Sequence, residues 1–331
     1  MAEIVQTPVR TPRIRIIVFI AVVLSILILF LLYGAGLVGL PVLILSNHQN
    51  RNCDSALTLD KIYTSLYPGF LADATLLTPV QECRSYLSAA AKEEQGSWRE
   101  AYDAYQAYAS TYPGGLFATE AHQNSAAALL NLAQDQVEQE NYEEALTNLN
   151  LILASYSDTP ANTDAWRLFP SVYTLWGASL RDEKDFARSE QVLNDFKTWS
   201  LTYQQNDSVT DAQRELIQTY LAWGLDLRSQ AQFENAIAKF ELAAAADPES
   251  QFDSAEKVQA GQTSAYIGWG NDLLEQDQFP LAIEKFELAA SKSDGTNDES
   301  AGDALANGQV RWADQLSAGE DFQGALEHLG L

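Results

Sequence analysis

The sequence predicts an all-α protein, an α-solenoid of helical hairpins carried on one N-terminal transmembrane helix. Three observations predict it. A bulky aromatic followed three places later by Ala or Ser recurs six times at spacings of 43 to 47 residues, starting at Trp98, Tyr142, Phe186, Phe233, Phe279 and Phe322. Self-similarity at such a period marks stacked supersecondary units, each covering the apolar face its neighbour cannot bury alone. Within each unit, small or apolar residues at offsets 3, 7 and 10 lie on one helical stripe, as in Ala236, Phe240 and Ala243 or Ala282, Phe286 and Ala289. Finally, the thirty positions from Ile16 to Leu45 hold no charged residue.

Residues 1–15 read as a short polar tail, and Arg10, Arg13 and Arg15 lie immediately before the apolar run. A helix through residues 16–45 rises about 45 Å, more than the roughly 30 Å hydrocarbon core needs. Ile16 to Leu37 is enough to span, which leaves a juxtamembrane segment containing Gly39 and Pro41. A cleaved signal peptide has the same order of charge and apolar run, but its apolar region is only about 7 to 15 residues. The run therefore reads as an uncleaved signal anchor. The first positive charge beyond it is Arg51, so the positive-inside rule puts the N-terminus in the cytoplasm and the rest outside the cell membrane. Residues 46–52 (SNHQNRN) read as a polar stalk.

Residues 53–331 read as the repeat domain, with repeat centres near 53, 98, 142, 186, 233, 279 and 322. A Trp stands ten residues before the aromatic at Trp176, Trp223, Trp269 and Trp312, and Gly follows it in the first three. The Gly lets a second helix approach while the Trp supplies buried area. A short polar turn such as Arg181 to Asp185 separates the two helices, which completes a hairpin. Cys53 stands 45 residues before Trp98, so a further half-repeat begins there. The chain has two cysteines, Cys53 and Cys83. An even count in an oxidising compartment permits one disulfide, the alternative being two buried thiols.

In these repeats the chain resembles the tetratricopeptide repeat family. Gly224, Ala236, Phe240, Ala243 and Pro248 meet that family's pattern position for position, Gly270, Ala282, Phe286 and Ala289 meet all but the Pro, and Ala101, Tyr105 and Pro113 meet the second-helix half. The family unit is about 34 residues, so these repeats are longer, and the extra residues before each Trp lengthen the first helix. The resemblance implies consecutive helices in contact, which would let Cys53 and Cys83 bridge across a membrane-proximal cap. It also implies binding of a protein or peptide by first-helix positions on a concave face, with Arg181, Leu225, Arg228, Asn271 and Leu274 among them. Arg181 and Arg228 occupy equivalent places and suit an acidic peptide or a terminal carboxylate. The Lys and Asn clamp of some relatives is not reproduced, because Ile267 stands where the Lys would precede Asn271. The YASTYP and ILASYS stretches near Tyr112 and Tyr156 are similar to envelope-assembly repeat proteins of the outer-membrane assembly lipoprotein type, although no lipobox Cys ends the apolar run. The short final helix after Phe322 reads as a chain cut from a longer one, with an active or sensory domain beyond Leu331, or as an end that a partner covers.

Composition narrows the function. After residue 45 there are 17 Lys and Arg against 44 Asp and Glu, which disfavours nucleic acid and anionic lipid headgroups. His48, His122 and His328 share no spacing suited to a metal or a proton relay. Each reads as a surface histidine. The acidic loop from Ser293 to Ser300 lacks the spacing of a calcium loop. No phosphate-binding, nucleophile-elbow or dinucleotide glycine motif occurs. The expectation is a scaffold or peptide-binding module at the cell envelope, with no enzymatic activity and no cofactor.

Overall fold

The computed structural model describes residues 12–67, 69, 74–292 and 299–328, and every regular element among them is helical. An N-terminal helix α1 (Pro12–Gln49) and α2 (Cys53–Leu66) lead through a 3-10 turn (Ala74–Leu76) into a series of hairpins. The first helices are α3 (Leu77–Glu94), α5 (Ala118–Glu138), α7 (Pro160–Asp182), α9 (Asn206–Ser229), α11 (Ala255–Glu275) and α13 (Glu299–Ala318). The second helices are α4 (Trp98–Thr111), α6 (Tyr142–Ser155), α8 (Phe186–Thr202), α10 (Phe233–Ala246), α12 (Phe279–Lys292) and α14 (Phe322–His328). All six second helices begin on the repeated aromatic. First helices of 18 to 24 residues take up the extra length of the repeat.

One turn joins the two helices of each hairpin. Two positions before the aromatic, Gly96, Glu140, Lys184, Ala231, Asp277 and Glu320 have φ between 56° and 71°. The next amide then reaches back across the turn, as in Ser97 N–H to Lys92 O and Gln232 N–H to Leu227 O, both 2.9 Å. Bonds of this kind satisfy carbonyls that the first helix leaves open. Only one of the six positions is glycine, so composition did not reveal the turn.

The chain divides into two units, Met1–Asp135 with Thr147–Ala165, and Gln136–Leu146 with Trp166–Leu331. In the first unit the buried core joins Ile44, Cys53, Tyr63, Cys83, Tyr105 and Tyr108, with Leu37 and Leu40 packed against it. Cys53 and Cys83 are disulfide-bonded, their Cα atoms 5.2 Å apart. Glu82 is buried, and three elements converge on it. Its carboxylate accepts from Tyr108 Oη at 2.6 Å, from the Leu116 amide at 2.5 Å, and pairs with His48 Nε2 at 2.8 Å. Burial alone would raise the Glu82 pKa, but the hydrogen bonds from Tyr108, His48 and Leu116 outweigh it and hold the carboxyl below its ordinary value.

This unit changes the reading of residues 46–52. The segment is no stalk, because α1 stays helical to Gln49 and then turns directly into α2. Asn52 caps α2 through Ser55 N–H, and Arg51 pairs with Glu120. His48 is likewise not a surface histidine, since the Glu82 pair leaves its side chain 14% exposed.

In the second unit two buried phenylalanines each pack against glycines. Phe240 packs between Gly224 on α9 and Gly261 on α11, and Phe286 between Gly270 on α11 and Gly308 on α13. A Cβ on Gly224 or Gly261 would lie 2.7 Å or 2.5 Å from Phe240 Cε1, so hydrogen is the only substituent that fits. Lys239 Nζ sits 3.3 Å from the Trp223 ring centroid, and Lys285 Nζ 4.4 Å from that of Trp269. His328 takes the equivalent place on Trp312, with ring centroids 3.6 Å apart. The third histidine, His122, pairs with exposed Asp158 at 3.0 Å.

Candidate interaction groove

A groove opens in the second unit between the first helices α9 and α11. On α9, Arg214, Gln218, Leu221, Leu225 and Arg228 follow at helical spacing and form one stripe. Opposite them α11 presents Lys257, Ala260, Gly261 and Ser264. The small residues on α11 cannot fill the space that the α9 leucines face. The result is a cavity of about 680 Å³ near Ile217, Leu221 and Phe252, continuing past Leu225 into a second of about 460 Å³.

The loop before α11 shapes one end. Asp247 caps it, accepting from Gln251 N–H at 2.7 Å, Phe252 N–H at 3.2 Å and Ser254 Oγ at 2.7 Å. Burial would raise the Asp247 pKa, and this set of hydrogen bonds outweighs it, so the carboxyl stays ionised below its ordinary pKa. The loop thus holds Phe252 beside Arg214, whose guanidinium lies 5.5 Å from the ring centroid. Arg214 also pairs with Asp211 at 2.6 Å. Lys257 is exposed on the opposite wall.

Of the residues expected on the concave face, Leu225 and Arg228 line this groove, and Leu225 is 46% exposed. Arg228 donates to Ser264 across it. Arg181 is not among the lining residues. It pairs with Glu215 at 2.8 Å, joining α7 to α9. The two arginines therefore each tie one first helix to the next. Asn271 is exposed on α11. Leu274 contradicts the expectation: it is 1% exposed and belongs to the core with Leu273, Phe279 and Phe286. The physical reason is that α11 packs on both α12 and α13, whose Ala304 and Leu305 lie against the same cluster, so two faces turn inward and a register carried over from shorter repeats misplaces the boundary between them.

Sequence reasoning missed Asp247, Phe252, Arg214 and Lys257. The first two lie in an irregular loop. A signal for the basic pair was available, since Arg214 stands two turns before Leu221 on the leucine stripe, yet pairing it with Lys257 requires knowing which helices adjoin. Among the described residues no group of three His, Cys, Asp or Glu side chains is placed to hold a metal. The acidic loop read against calcium lies mostly outside the described residues.

No family model matches the chain, and no curated protein matches it. Among solved structures it is similar to a tetratricopeptide repeat protein from Parabacteroides merdae, at 14% identity over 83% of this chain and 99% of that one, with a TM-score of 0.20. It is also similar to the apo form of the quorum sensor NprR from B. thuringiensis, at 12% identity over 90% of this chain and 85% of that one, with a TM-score of 0.21. The tetratricopeptide-like character rests on the chain's own geometry: helix pairs whose second helix begins on the repeated aromatic, with a small residue facing a large one where the helices meet.

Proposed function

We propose that this protein is a membrane-anchored interaction module that holds a protein or peptide partner in the groove between α9 and α11, outside the cytoplasm, and performs no covalent chemistry. One observation carries the binding reading. In a chain of formal charge −25, the groove combines half-buried Leu221 and exposed Leu225 with three cations, Arg214, Arg228 and Lys257. That combination suits a segment bearing apolar side chains and carboxylates. The disulfide supports an oxidising compartment, and the three arginines before the span support an inward N-terminus.

The anchor reading has a separate support. α1 is long and apolar enough to cross a membrane, its most apolar 18-residue stretch having mean hydropathy 3.3. Its second half is built into the first unit's core through Leu37, Leu40 and Ile44. Cleavage after the apolar run would remove these residues and expose the pocket that they fill. This packing supports a permanent anchor over a discarded leader.

Selection from a displayed peptide library on the full chain in micelles tests the groove. Recovered peptides are expected to be acidic with apolar anchors, and Leu225→Arg or Lys257→Glu should weaken them about tenfold, equivalent to about 1.4 kcal/mol. Leu151→Arg, at an exposed leucine on α6, should leave binding unchanged. Peptides that bind all three variants alike would overturn the groove.

A further inference from the structure

We propose that the last two turns of α2 are seated in the outer interface of the bilayer, so that the first unit lies on the membrane rather than standing clear of it. This rests on the reading of α1 as a membrane span. The argument begins with lengths. The exposed apolar surface of α1 starts at Ile16 and continues through Val38, Val42 and Leu43, which are 68%, 61% and 51% exposed. At 1.5 Å per residue this bare stretch is about 40 Å long. A bilayer with its headgroup regions is about 40–45 Å thick, of which the hydrocarbon core is about 30 Å. Water-facing character resumes only at Ser46 and Asn47.

α2 reverses direction after Asn52 and runs back along α1 into that zone. Its end is fixed by three contacts. Tyr67 Oη donates to Tyr33 O at 2.7 Å, Tyr33 Oη donates to Leu66 O at 3.3 Å, and the two rings lie 4.6 Å apart between centroids. Gly36 makes this approach possible, because a side chain there would collide with the Tyr67 hydroxyl. Leu66 therefore sits level with Tyr33 to Gly36, at the outer edge of a hydrocarbon core that begins at Ile16. Ile62, one turn back on the same face, sits level with Val38.

The surface at that level is made for an interface. Ile62 and Leu66 are 43% and 54% exposed, and residues 62–67 carry no charge. The two exposed hydroxyls between them are already satisfied internally: Thr64 Oγ1 donates to Asp60 O and Ser65 Oγ to Ile62 O, both at 2.8 Å. Neither requires water. Tyr33, 43% exposed, sets one amphipathic ring at the depth where such rings concentrate, and it is held there against the buried ring of Tyr67. Exposed Lys61 can extend its amine outward along the helix. Continuity with the span selects lipid as the occupant over a separate protein partner.

Single cysteines carrying an environment-sensitive fluorophore test the seating, since both native thiols are bridged. The full chain is reconstituted in phosphatidylcholine vesicles, with a nitroxide lipid labelled near the carbonyl end of its acyl chain. Label at Leu66→Cys, and independently at Ile62→Cys, should be blue-shifted and quenched. Label at Gln95→Cys, at the far end of α3, should be neither. Quenching at Val23→Cys within the span, with none at Leu66 or Ile62, would overturn the seating and leave the anchor intact. Absence of quenching at Val23 as well would overturn the anchor itself. Shielding of Leu66 from aqueous quencher without lipid quenching would put protein there, and that too would overturn the proposal.

Discussion

Seven residues into its second helix the first unit carries Tyr105, and the second unit carries Phe240 and Phe286 at the same place. All three side chains are 0% exposed. Around Tyr105 the structure supplies polar partners: its hydroxyl donates to Glu93 at 2.5 Å and accepts from Asn124 at 3.1 Å. Burial and the Glu93 carboxylate both push the Tyr105 pKa far up, so it remains a neutral donor. Around the phenylalanines the structure supplies apolar side chains and, against each ring, a glycine from each of two first helices. Sixteen residues upstream of each ring, the small partner is Ala89 in the first unit but Gly224 and Gly270 in the second. One repeat pattern therefore admits two kinds of core. The tyrosine core is directional and is lost when a partner is removed. The glycine core is a matter of volume and is lost when an atom is added.

The difference is most sharply tested by the disulfide, which only the first unit has. Cys53→Ser with Cys83→Ser should cost that unit about 3–4 kcal/mol, as expected for a loop closed over 30 residues. Hydrogen exchange resolved by helix should show the loss in α2, α3 and α4 and leave α9 to α12 unchanged. A uniform loss through both units would break the comparison.

Glu82→Gln removes the charge on which Tyr108, His48 and the Leu116 amide converge, and should cost about 3 kcal/mol in the first unit. Acid should act in the same direction. Because Glu82 is held below its ordinary pKa in the folded state, its contribution is complete above the unfolded carboxylate pKa and disappears as pH falls through the folded value. A urea-unfolding series against pH on the wild type and Glu82→Gln reads both. Parallel acid dependence in the two proteins would remove Glu82 as the cause.

Gly224→Ala or Gly261→Ala should destabilise the second unit by about 1–3 kcal/mol, since the added methyl meets the Phe240 ring. Phe240→Leu in the same chain should restore part of that loss, which a purely local helix effect would not allow. The corresponding change in the first unit, Ala89→Gly, creates space instead and should cost less, about 1 kcal/mol.

The smallest effect comes from the turn that the two units share. Gly96 and Ala231 have φ of 71° and 56°, a region where a Cβ costs about 1 kcal/mol. Ala231→Gly should therefore stabilise by up to about 1 kcal/mol, and Gly96→Ala should destabilise by a similar amount. Thermal unfolding of both variants checks the opposite signs.

Much of this architecture was legible without coordinates. The aromatic that opens each second helix, the small residue nine positions before it, and the bare apolar length of α1 are local or periodic features. Periodicity along one chain dictates which residues share a helical face. The same reasoning failed wherever two distant segments had to be placed together. Residues 46–52 look like a polar stalk because Asn, His and Gln are written consecutively, yet His48 turns toward a carboxylate 34 positions away. Leu274 looks like a surface position because the pattern describes one packed face, whereas α11 has two. The groove itself arises from the juxtaposition of leucines on α9 with Ala260, Gly261 and Ser264 on α11. Sequence determined which faces were apolar. The rotation of each helix against its neighbours, fixed by the summed volumes at their contacts, decided which of those faces closed into core and which remained open.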